Sequence, residues 1–145
     1  MSTTPTLTPR RKQVLALLQK AGQPLGAYDL TDQCATITGK RPAPISVYRA
    51  LDFLVEQGLV HRLASQNTFL ACRHLREHQH EGEAHTHADA GGIFLICTNC
   101  HRVDEILSSD IHAALDQLAD TYGFLPTTHM IEVGGVCEKC RRMGA

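Results

Sequence analysis

The sequence predicts an α+β chain: three helices and a β-hairpin, a linker, then a small α/β module stapled by a metal. Three observations carry that reading. Helical apolar spacing recurs three times before Gly58 and gives way to two short β-like runs. A polar stretch over residues 73–92 gathers His74, His78, His80, His85 and His87. Two Cys-x-x-Cys pairs, Cys97/Cys100 and Cys137/Cys140, bracket the remainder. The expected divisions are a winged-helix unit over 1–73, a His-rich linker over 74–92, and an α/β unit tied at both ends by metal over 93–145.

The first helix opens at Thr8-Pro9, where proline suits the first turn. Val14, Leu17, Leu18 and Ala21 share one face, and Gly22-Gln23-Pro24 ends it. A second helix begins over Gly26-Ala27-Tyr28-Asp29, with Leu30, Cys34 and Ile37 inward. Gly39 to Pro44 form a rigid connector. The third helix starts near Ile45, turns Val47, Ala50, Leu51 and Leu54 inward, and stops at Gly58. Leu59–Leu63 and Thr68–Cys72 are strands flanking Ser65-Gln66-Asn67. Helices and hairpin in this order spell a winged helix-turn-helix.

Past the linker, Ile93–Ile96 and Val103–Ile106 read as strands around the first cysteine pair. Ser108 or Ser109 caps a helix with Ile111, Leu115, Leu118 and Tyr122 on one face, stopped by Gly123. A third strand covers Thr127–Val133 and leads to the second pair.

A two-residue spacer lets both thiolates of a Cys-x-x-Cys pair face one point, and two pairs complete a closed tetrahedral zinc site. Such a site has no open position, so Cys97, Cys100, Cys137 and Cys140 are expected to hold a structural zinc. The alternative, disulfides or redox motifs, lacks any thioredoxin-like strand–helix context. Trp is absent and aromatics make up 5% of the 145 residues. Cores this lean often need a staple. No apolar run reaches membrane-spanning length and no signal-peptide pattern opens the chain. Thiols used as ligands fit a reducing cytoplasm.

The net charge of −1 conceals an asymmetry. Residues 1–75 carry nine Lys/Arg against four acids; the rest carry five against eleven. A basic first part is an electrostatic footprint for a polyanion.

The hairpin adds a second metal reading. With Gln66-Asn67 as a two-residue turn, His61 and Cys72 stand directly opposite on one face, Cβ atoms roughly 5 Å apart. Linker histidines, or the acids of Cys100-His101-Arg102-Val103-Asp104-Glu105, could complete four ligands.

Ala27-Tyr28-Asp29-Leu30, Ser46-Val47-Tyr48-Arg49-Ala50-Leu51, Gly58-Leu59-Val60-His61 and the two Cys-x-x-Cys pairs resemble the ferric uptake regulator superfamily over about residues 8–142. The resemblance implies a dimeric, metal-dependent, DNA-binding bacterial repressor whose second domain dimerises. It is strongest to the zinc-sensing branch. The regulatory ligands it implies are His61, Cys72, His87 and Glu105, with His85 able to replace His87 because the linker is long. A thiolate ligand favours zinc over ferrous iron or manganese. Pro24 stands where iron- and peroxide-sensing relatives often carry a histidine. A third site implied by relatives falls on His85, His112 and His129. Two or three zinc ions per protomer are thus expected.

The third helix is expected in the major groove of double-stranded operator DNA, with Tyr48 and Arg49 on its outer face. Arg49 suits a bidentate guanine contact, and Lys12, Lys40, Arg41 and Arg62 suit phosphates. No His-Glu-x-x-His or nucleophile elbow is present, so neither catalysis nor a small-molecule substrate is expected. The alternatives are an iron- or peroxide-sensing relative and a zinc-buffering protein with no DNA role.

Overall fold

The computed structural model describes residues 6–73, 92–127 and 129–144. It divides into two units, Met1–Glu81 and Gly82–Ala145. Expectations placed on His74, His78, His80, His85 and His87 lie outside the described residues.

The first unit holds α1 (Pro9–Ala21), α2 (Ala27–Thr38), α3 (Pro44–Glu56), β1 (Val60–Leu63) and β2 (Thr68–Ala71). Thr8 caps α1, its side chain accepting from the Arg11 amide at 3.4 Å. Gly22 ends α1 at φ 62°, a left-handed turn that glycine adopts without a Cβ clash. Asp29 accepts from the Gly26 amide at 3.3 Å, and its carboxylate suits the positive end of α2. Val14 and Leu18, Leu30 and Cys34, and Val47, Leu51 and Leu54 meet as one fully buried core. Leu25 exchanges two backbone hydrogen bonds with Phe69, 2.9 and 2.8 Å, adding a third short rung to the hairpin.

Two expectations fail here. Ile37 is 63% exposed. Helical spacing alone cannot tell that the last turn of α2 overhangs its core. The hairpin register also differs: His61 faces Leu70, and Val60 faces Ala71. The turn spans four residues, 64–67, with Asn67 at φ 50°. A four-residue loop shifts the pairing by two places, which keeps every side chain on its expected face. His61 and Cys72 are therefore diagonal neighbours and not direct partners.

The second unit runs β3 (Gly92–Cys97), β4 (Val103–Ile106), α4 (Ser109–Thr121), β5 (Met130–Gly135) and a short α5 (Glu138–Arg142) that the residue pattern does not announce. The sheet order is β4-β3-β5. β3 and β4 are antiparallel, whereas β3 and β5 are parallel, with α4 on the crossover. Parallel register sets Cys97 opposite Gly135, so the two cysteine pairs emerge at the same end of the sheet. Ile93, Phe94, Ile96, Val103 and Cys140 are buried. Ser108 caps α4 by accepting from the Ile111 amide at 3.4 Å. No described residue of α4 is buried; Ile111, Leu118 and Tyr122 are 41%, 55% and 79% exposed. Periodicity correctly marks that face as apolar, but a single chain does not cover it.

Candidate metal centres and nucleic-acid face

One sulfur from each of Cys97, Cys100, Cys137 and Cys140 lies within 4.8 Å of the other three. All four are free thiols. Zinc–sulfur bonds of about 2.3 Å give a tetrahedron with edges of about 3.8 Å. The Cys100 and Cys137 sulfurs are 3.7 Å apart, too far for a disulfide and right for two ligands of one ion. Cys97 closes the first turn: His101 N donates to its carbonyl at 2.9 Å, and His101 takes φ 64°. Its sulfur accepts from the amides of Cys100 at 3.5 Å and Cys137 at 3.4 Å.

These donors decide the electrostatics. The amides of Cys100 and Cys137 favour the Cys97 thiolate and, against its burial, bring its pKa down to about 6. At Cys140 the Asn99 side chain favours the thiolate, but burial and the other three cysteines outweigh it and push the pKa up to about 11. A cation between the four sulfurs would favour the thiolate form of each.

The second set starts on the hairpin. His61 sits on β1 and Cys72 just beyond β2, both half-buried, with ligand atoms within 4.8 Å of each other. The diagonal placement thus preserves the pairing that direct opposition was expected to produce. Glu105 lies half-buried on β4, across from Phe94. His85 and His87 fall outside the described residues.

His112 on α4 and His129 before β5 come together, rings stacked at 5.3 Å and Nδ1 atoms 3.3 Å apart. Tetrahedral zinc with nitrogen bonds of about 2.05 Å has edges of about 3.3 Å. The other nitrogen of His129 lies 3.1 Å from Asp116 Oδ1. That approach is close enough for an ion pair but lacks hydrogen-bond geometry, so Asp116 lies beside the ring without fixing its tautomer. Asp116 escapes the sequence reading, although its i+4 position from His112 on one helix face was the available signal.

On α3, Arg49 is exposed, whereas Tyr48 is half-buried and packs against the core. That corrects the expectation that both stand outward: Tyr48 follows Val47 around the helix far enough to lean inward. Tyr28 is 64% exposed at the start of α2. Lys12 and Lys40 are exposed. Arg41 forms an ion pair with Asp32, and Arg62 donates to Asn67 Oδ1 at 3.2 Å.

Residues 3–134 match the model of the Ferric uptake regulator family. The chain belongs to that family. The Zinc uptake regulation protein of Escherichia coli (strain K12) is 35% identical over 134 residues, covering 92% of this chain and 72% of the relative. The crystal structure of holo XcZur is 39% identical, with a TM-score of 0.79, over 97% of this chain and 89% of that one. A zinc uptake regulator complexed with zinc and DNA is 33% identical, with a TM-score of 0.80, over 96% and 85%. For a ferric uptake regulator family member, the three-helix unit with its paired strands is thus the winged helix, and the cysteine-ended unit is the second module.

Proposed function

We propose that this protein is a zinc-responsive transcriptional repressor that binds operator DNA as a homodimer in the cytoplasm. Its zinc-regulator relatives support the effector and the polyanion. The observation that carries the reading is His61 beside Cys72 on the hairpin: an imidazole and a thiolate within 4.8 Å form a soft pair that suits zinc.

We assign the regulatory set to His61, Cys72, Glu105 and one linker histidine, His87 or His85. Cys97, Cys100, Cys137 and Cys140 are assigned the structural ion, and His112, His129 and His85 a third. When bound, zinc would be held by these side chains, whose thiolate, imidazole and carboxylate donors suit it. The chain does the rest. The Leu59 amide donates to the Leu54 carbonyl at 2.9 Å, and Cys72 N donates to the Leu59 carbonyl at 3.0 Å. His61 and Cys72 therefore cannot move without carrying the end of α3. An ion shared with Glu105 would therefore restrain the recognition helix. In a dimer, both recognition helices then meet successive half-sites together. Apparent operator affinity falls by whatever fraction of molecules holds another arrangement. The exposed apolar face of α4 and the edge position of β5 offer a second copy its contact surface. Four-ligand sets leave no open position for a substrate, which supports a regulator without turnover.

The test is operator binding in metal buffers. A duplex selected from a random library by the zinc-loaded protein is titrated by fluorescence anisotropy at fixed free zinc, ferrous iron or manganese. Binding is expected to follow free zinc alone. Binding driven equally by ferrous iron overturns the zinc assignment, and metal-independent binding overturns the sensor.

A further inference from the structure

The four cysteines account for the ligands of the structural ion but leave the spacer of the first pair, Thr98-Asn99, unexplained. A spacer in a Cys-x-x-Cys turn needs only to bring its two thiolates to one point, and nothing in that task requires it to reach across the site. Here both residues reach the opposite arm. Thr98 N and Thr98 Oγ1 both donate to the Gly135 carbonyl, at 2.8 and 3.1 Å. Asn99 Nδ2 lies 3.2 Å from the sulfur of Cys140. A thiolate accepts and never donates, so the Asn99 atom facing it is the amide N–H.

The geometry points to Asn99 as a positioning residue that holds Cys140 in the cluster and lightens the negative charge of its sulfur. Cys140 is buried, at 4% exposed, and sits in α5, a helix of five residues with little rigidity of its own. The sulfur of Cys97 already accepts two backbone amides, from Cys100 and Cys137. Among the described residues outside the cysteine cluster, Asn99 is the side chain that donates to Cys140. With Thr98 anchoring the same turn to Gly135, the first arm is braced against the second by the chain itself. Groups that orient metal ligands in this way change metal affinity by about 10- to 100-fold when removed.

The proposal rests on the four cysteines being a metal site, and the test separates the two. Cobalt is substituted for zinc in the full chain carrying Cys72→Ser, so that the sulfur-to-cobalt charge-transfer band comes from the four cysteines alone, and the band is recorded with Asn99 unchanged (the wild type of this comparison), with Asn99→Leu and with Asn99→Asp. Leu keeps the size but has no donor; Asp keeps the shape but adds like charge. Loss of zinc from the cysteine cluster to a chelator is timed in parallel, in a Cys72→Ser background that disables the proposed regulatory set. Removing a donor raises the energy of the sulfur electrons, so the band is expected to shift to longer wavelength in both variants. Zinc loss is expected to quicken about 10-fold in Asn99→Leu and further in Asn99→Asp. A band and a release rate equal to wild type in Asn99→Leu overturn the role of Asn99. Absence of a charge-transfer band in wild type overturns the metal site itself. A merely structural Asn99 would alter the folded fraction and leave the band position of the folded molecules unmoved, which also overturns the proposal.

Discussion

Replacing Arg49 by alanine gives a sharp view of the DNA face. Arg49 is exposed on α3, and among the described residues it has no hydrogen-bond or ion-pair partner. Its neighbours Val47, Ala50 and Leu51 hold the helix by burial, at 0%, 2% and 0% exposure, and do not depend on it. Removing the guanidinium therefore leaves folding stability within about 0.5 kcal/mol. Any affinity change then belongs to the interface. A bidentate contact with a guanine discriminates by about 1–3 kcal/mol. At about 1.4 kcal/mol per decade, that is roughly 5- to 150-fold weaker operator binding. The assay is anisotropy titration at fixed salt and free zinc, using the selected duplex and a set in which each guanine is exchanged in turn. One exchange should cost the wild type about as much as the mutation does, and should cost Arg49→Ala nothing more. A loss of equal size on every duplex, with the salt slope reduced by about one, would refute base readout and make Arg49 a phosphate contact.

Other expectations follow from the same geometry. Cys72→Ser should leave a folded dimer by sedimentation but remove the zinc dependence of operator binding; unchanged dependence takes Cys72 out of the sensor. Cys97→Ser should lose the structural ion and unfold or monomerise the second unit, visible by circular dichroism and sedimentation; a native-like dimer contradicts that. Leu51 is fully buried, so Leu51→Ala should cost about 2–5 kcal/mol in thermal or urea unfolding of the first unit.

Much of this molecule is legible in its residues, for identifiable reasons. Periodicity locates α1, α2, α3 and α4 because caps such as Thr8 and Ser108 and stops such as Gly22 lie where helical runs begin and end. The cysteine cluster is legible because Cys-x-x-Cys encodes its own geometry. The His61–Cys72 pair is legible as a same-face pair but not in its register. Period-2 alternation fixes faces, whereas turn length fixes partners, and Ala64 to Asn67 hold no two-residue signature strong enough to decide. Tyr48 leans inward because one residue's rotation on a helix moves a long side chain from surface to seam. The α4 face shows that amphipathicity declares a need for cover without naming the cover. Asn99 is invisible in the sequence because its partner, Cys140, is 41 positions away and only the fold joins them.

The parallel union of β3 with β5 has a bearing on how the molecule is born. Such neighbours cannot zip up locally like a hairpin; pairing waits until residues 130–135 have left the ribosome. By then Cys97 and Cys100 have long been made, and Cys137 and Cys140 follow last. An ion held by the four sulfurs would close that excursion once both arms are made, so the last strand and the last ligands would be secured together.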